Sequence, residues 1–149
     1  MAKLDTREDF LSVWRHLALT PGRTLGALQQ GKKDEYIIVT AASALQFEPD
    51  RDYTETEVNR VLEHWLEGPG AMIETDHVQL RRALVDCGLI ERDGYGRSYR
   101  RAAAAPESWR AALAAFDDVD FANEAERARA ADATLRAERK ARWLRQATG

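Results

Sequence analysis

"DHVQLRRALVDCGLIERDGYGRSYRR", residues 76–101, contains the change of periodicity on which the fold turns. Asp76 and Gln79 offer a helix cap, Leu80, Leu84 and Cys87 recur on one helical face, and Gly88 stands where a left-handed residue closes a helix. Beyond Gly88 the helical period is lost. "LIER" and "RSYR" are short β-tolerant runs on either side of Asp93-Gly94-Tyr95-Gly96, a spacing that predicts a hairpin with a four-residue loop.

Upstream, "YTETEVNRVLEHWL" puts Thr54 at an N-cap with Glu57 three residues on, a capping box, and Val58, Val61, Leu62, Trp65 and Leu66 form an apolar stripe behind it. "EGPGAM" then forces a turn. A helix is expected from near Asp34 through "EYIIVTAASALQF", with Ile37, Ala41, Ala44 and Leu45 on its inner side and Pro49 beyond its end. Helix, helix, turn, helix, hairpin is the order of a winged helix, so the expected class is mainly α, a helix-turn-helix with a β-hairpin wing. A hairpin capping a helical bundle would give the same order.

The flanks are helical as well. "TREDFLSVWRHLAL" places Phe10, Val13, Trp14 and Leu17 on one face, and Pro21-Gly22 ends it. Pro106 at a first-turn position precedes Trp109, Leu113 and Phe116 at helical spacing. From Phe121 to about Ala147 an alanine-rich segment predicts a helix roughly 40 Å long, at ~1.5 Å per residue, which either crosses the body or projects from it. The expected organisation is an N-terminal helix over 1–21, a winged-helix-like domain over 22–101 and a C-terminal helical extension over 102–149.

At 149 residues the chain has the size of one domain with a core of its own. No segment approaches the roughly 20 consecutive apolar residues of a membrane helix, and "MAKLDTREDF" lacks an apolar leader core, so a soluble cytoplasmic protein is expected. The single cysteine, Cys87, excludes an internal disulfide and is expected as a small buried side chain. Net charge is −3, and its distribution says more than its sum. Residues 32–75 carry four cations against ten acids, and this stretch repels a phosphate backbone. Residues 76–101 reverse the balance, with six arginines against four acids.

Three of these stretches resemble a bacterial family catalogued as domain of unknown function 2087, sometimes fused to metal-sensor-type regulator domains. "GRTLGALQQGKK" is similar to its opening segment, "YTETEVNRVL" to its central helix and "DHVQLRRALVDCGLIERDGYGRSYRR" to its terminal helix and hairpin, together spanning about residues 22–101. The linker "EGPGAMIET" is longer than the family's usual form. The resemblance implies a winged-helix-like fold and a link to transcription.

In a DNA-reading winged helix, the outward face of the last helix meets base edges while wing arginines meet phosphates. At roughly 100° per residue, Arg82, Val78, Val85 and Asp86 fall opposite Leu80, a mixed face whose valines suggest a covered surface. The candidate DNA-binding residues are Gln79 and Arg82 toward bases and Arg92, Arg97, Arg100 and Arg101 toward phosphates. Arg81, at the edge of the core, is expected in an ion pair with a carboxylate such as Glu57 or Asp76. Tyr99 is expected in the core and Tyr95 exposed at the loop tip.

The tail is a second basic element, with seven cations against two acids over residues 127–145. Such a helix suits nucleic acid, or the acidic stretch of its own chain or of a second copy, and a homodimer through the terminal helices is a candidate assembly.

His16, His64 and His77 lack partners at metal-ligand spacing, and no phosphate-binding glycine loop or nucleophile turn is present. No catalysis, metal or cofactor is expected. The expected function is DNA-binding transcriptional regulation, and the alternative is a non-catalytic protein–protein interaction module on the same scaffold.

Overall fold

Most helices in this chain begin where a side-chain oxygen takes a free backbone N–H, the exceptions being those that start after Lys32 and Pro106. The computed structural model describes residues 4–95 and 97–148. Thr6 caps α1 (Arg7–Leu19) in a capping box closed by Asp9. After β1 (Arg23–Thr24), Thr24 caps α2 (Leu25–Gly31), and α3 (Lys33–Ala44) follows at once. β2 (Asp52–Tyr53) leads into α4 (Glu55–Glu67), where Thr54 and Glu57 form the second capping box, as expected. β3 (Ile73–Glu74) precedes α5 (His77–Asp86), whose Asp76 carboxylate accepts the Gln79 N–H. Then come β4 (Ile90–Arg92), β5 (Tyr99–Arg101), α6 (Glu107–Ala115) and α7 (Phe121–Thr148). The molecule is mainly helical with small sheets, and no described helix is long and apolar enough to cross a membrane.

The antiparallel sheet has the order β2-β5-β4, with Tyr53 opposite Tyr99 and Arg92 opposite Tyr99 on the other side. β1 and β3 form a two-residue parallel pair that ties the start of α2 to the start of α5. Neither β1, β2, β3 nor α2 follows from the sequence pattern. Two-residue strands are too short to show alternation, and α2 is seven residues interrupted by Gly26.

Three expectations need correction. The helix expected to run to Phe47 ends at Ala44, and its buried set is wider than one face, since Tyr36 and every residue from Ile38 to Ala44 are buried while Ile37 and Leu45 are only half-buried. Neighbours on all sides cause this, because α1, α2, α5 and α6 all pack against α3. The second hairpin strand starts at Tyr99, two residues later than "RSYR" suggests, with the Asp93 N–H bonded to the Ser98 carbonyl; Gly96 of the expected loop lies outside the described residues. Pro106 is the N-cap of α6 rather than its first helical residue.

An aromatic hub joins the flanking helices to the middle of the chain. Trp14 of α1 lies 5.6 Å from Trp65 of α4 and 4.8 Å from Phe121 of α7, and Phe121 is 5.2 Å from Phe116 at the end of α6. The Trp14–Trp65 pair is tilted and the two pairs made by Phe121 are edge-on, and all belong to one hydrophobic core that draws on α1, α3, α4, α5 and the α6–α7 junction. Two buried hydroxyls of α3 complete it. Ser43 Oγ accepts the Trp65 indole N–H at 2.9 Å and donates to the Val39 carbonyl, and Thr40 Oγ1 does the same for Trp109 and the Tyr36 carbonyl. Among the described residues every buried side-chain nitrogen and oxygen has a partner.

Only the root of α7 is part of this body. Phe121, Ala125 and Ala128 are buried, α1 being the element they lie on, whereas from Arg129 to Thr148 every described position is exposed except the half-buried Asp132. The tail therefore projects, and it does not lie on the acidic stretch of its own chain.

Candidate nucleic-acid interface

Two buried leucines orient α5. Leu80 and Leu84 face the core, and the helix then closes through Gly88, whose φ of +77° suits glycine, with the Leu89 N–H returning to the Leu84 carbonyl. The chain passes directly into β4, so the helix and the hairpin are held side by side. Fixing the inward side fixes the outward one: Gln79, Arg82 and Asp86 are exposed along a single line. Val78 and Val85 are half-buried, and Val85 packs on the core, so Val85 marks the border of the core and not a covered outer surface.

Arg82 lines two depressions. One, of about 300 Å³, lies between α5 and the hairpin, with Arg81, Arg82 and Arg92 around it and Asp86, Val85 and Tyr99 completing its wall. The other, of about 610 Å³, lies between α2 and α5 and includes Gln79, Arg82, Glu74 and Asp86. Among the described residues no ion pair holds Arg82, Arg92 or Arg97, and these cations are open to a solvent-side anion. Arg81 is different. It donates to Asn59 Oδ1 and sits 3.3 Å from Glu55 Oε1, so its carboxylate partner is Glu55 on the first turn of α4 instead of Glu57 or Asp76. Glu57 is committed to its capping box, and Asp76 caps α5.

The wing arginines divide into free and engaged. Arg97 is exposed, its N–H bonded to Asp93 Oδ1 at 2.8 Å and its guanidinium 5.8 Å from the ring centre of Tyr95. Tyr95 itself is 86% exposed, while Tyr99 is buried. Arg100 pairs with Asp52 at 3.0 Å across β2, faces Glu91 across β4, and has its pKa raised chiefly by the hydrogen bond to Asp52. Arg101 is half-buried and donates to the Phe47 carbonyl at 3.1 Å. The sequence does not announce these two partnerships, because both depend on where β2 and its preceding loop return.

Cys87 closes the inner end of α5. It is half-buried, 3.5 Å from the Tyr36 hydroxyl, and burial pushes both the thiol and the phenol above their ordinary pKa values. His16 and His64 are exposed, and His77 lies 3.7 Å from Glu63 at the mouth of the α4–α5 turn. Among the described residues no three His, Cys, Asp or Glu side chains gather to hold a metal ion.

Residues 28–101 match the model of a protein family described as an uncharacterized protein conserved in bacteria (DUF2087). The match opens at Leu28 rather than at Gly22, leaving the cap of α2 outside it and ending with β5. No curated protein and no solved structure matches the chain.

Proposed function

We propose that this protein is a winged-helix transcriptional regulator in which α5 enters the major groove of DNA and the β4–β5 hairpin lies along a flanking phosphate strand. The observation that carries the reading is the open Gln79–Arg82 line of α5 beside a cleft shared with Arg92. Support comes also from the strand order β2-β5-β4, with β2 ahead of α4 and the hairpin after α5, since this returns the wing to the body beside the reading helix. In this reading Arg82 and Gln79 meet base edges, and Arg92 and Arg97 meet phosphates. Arg100 and Arg101 contribute less, because Asp52 and the Phe47 carbonyl already occupy them. The reading involves no catalysis or cofactor, and it implies a cytoplasmic protein, where bacterial DNA lies.

The second reading is a protein-interaction module on the same scaffold. Asp86 in the exposed line and Glu74 across the α2–α5 depression favour it, since each repels a phosphate backbone and suits a partner with its own cations. Gel retardation of mixed genomic duplexes at two salt concentrations separates the two. Retardation that weakens with salt supports the regulator, and its absence at low salt leaves the interaction module.

A further inference from the structure

The exposed part of α7 carries Leu135, Trp143 and Leu144 at 49%, 65% and 46% exposure, large apolar side chains on a stretch where every described position from Arg129 on is exposed except the half-buried Asp132. The charges around them are segregated. Residues 117–126, the root of the helix and the loop before it, hold five acids and no cation, whereas residues 127–145 hold seven cations and two acids. Because α7 is one continuous helix, Trp143 stands about 33 Å from Phe121 at ~1.5 Å per residue, and the basic tip cannot bend back onto its own acidic root.

We propose that the occupant of this surface is a second copy of the chain, lying α7 against α7 in antiparallel fashion, so that each basic tip meets the acidic root of the other copy. Antiparallel pairing about a two-fold axis near the middle of the helix satisfies both ends at once and makes a closed dimer. It sets Lys140 of one copy beside Glu126 of the other, and brings Trp143 and Leu144 toward the other root. There a cleft of about 450 Å³ is bordered by Phe121, Ala122, Asp118 and Asp120, with Trp65 and Phe116 behind them. Ala130, Ala133 and Ala137 keep the central approach free of bulk. A nucleic acid is the weaker fit for this surface. Phosphates cannot cover the exposed Trp143 and Leu144, and a polyanion running along α7 meets the five acids at its root. This pairing stands whether or not α5 binds DNA.

The test uses the full chain in light scattering after size exclusion, where the expected mass is twice the 16.8 kDa of one chain. Reversing the tip with Arg139→Glu and Lys140→Glu, or the root with Asp117→Lys and Glu126→Lys, is expected to raise the dimer dissociation constant at least tenfold. All four residues are exposed, so circular dichroism stays unchanged. A chain carrying both pairs of reversals recovers the dimer, which a parallel pairing of like ends would not do. A monomer at about 100 µM in low salt, a dimer indifferent to either reversal, or no recovery in the fourfold variant would overturn the proposal.

Discussion

Gly70 shows how one missing methyl group can hold a site together. A Cβ there would lie 2.6 Å from Trp65 Nε1, and the indole cannot move aside, being bonded to Ser43 and wedged between Trp14 and Phe121. Gly70→Ala is therefore expected to lower unfolding stability by about 1–3 kcal/mol, read from urea melts. A change under ~0.5 kcal/mol would mean the hub is looser than described. The Tyr36–Cys87 pair gives a pH dependence with a definite sign. Both groups have pKa values raised by burial, so the unfolded chain loses these protons first as pH rises. Stability is full below about pH 8.5 and declines as pH passes through the ordinary thiol and phenol ranges. Urea midpoints at pH 7.5 and pH 10 check this, and Cys87→Ala should remove the thiol's share of the decline. The inward direction of Cys87 was legible from its spacing behind Leu80 and Leu84, although at the end of the helix it is half-buried and not buried as expected. Its contact with Tyr36 was not, since the two lie 51 positions apart and meet only through helix packing.

Long elements with their own caps declared themselves, and short ones set by distant partners did not. The α4 capping box, the α4 stripe and the helix-to-hairpin switch at Gly88 are local chemistry, readable without knowing the fold, whereas the Thr6–Asp9 box of α1 came only with the structure. β2 is two residues whose strand identity comes wholly from Tyr99 and Arg100, and its absence from the sequence reading hid the engagement of Arg100 and Arg101. Thr54→Ala deletes one arm of the α4 box and is expected to cost about 1 kcal/mol in denaturant melts. At the proposed interface the two elements should fail differently. Arg82→Ala on α5 should relax the preference between duplex sequences by about 1–3 kcal/mol of discrimination. Arg97→Ala on the wing should weaken binding alike on all duplexes and lower the salt slope by about 1. Equal losses on every duplex for both variants would reject the division between a reading helix and a phosphate-holding wing.

The molecule as a whole separates its charges. The acidic stretch at residues 32–75 belongs largely to the body, the unpaired cations Arg82, Arg92 and Arg97 gather at α5 and the hairpin, and a second basic set rides on the projecting end of α7. The flanks look like appendages in sequence, yet Trp14 and Phe121 make them part of the same core, so the body that carries α5 begins at α1 and extends into the root of α7. The central claim is that this body presents α5 and the wing to duplex DNA. The most direct test is fluorescence anisotropy of the full chain titrated with a mixed set of labelled genomic duplexes at roughly 50 and 200 mM salt. The account predicts saturable binding that weakens on the order of tenfold or more between the two, and that falls further when Arg82, Arg92 and Arg97 are together changed to alanine. No binding at the lower salt, or binding that the triple variant leaves unchanged, would contradict it.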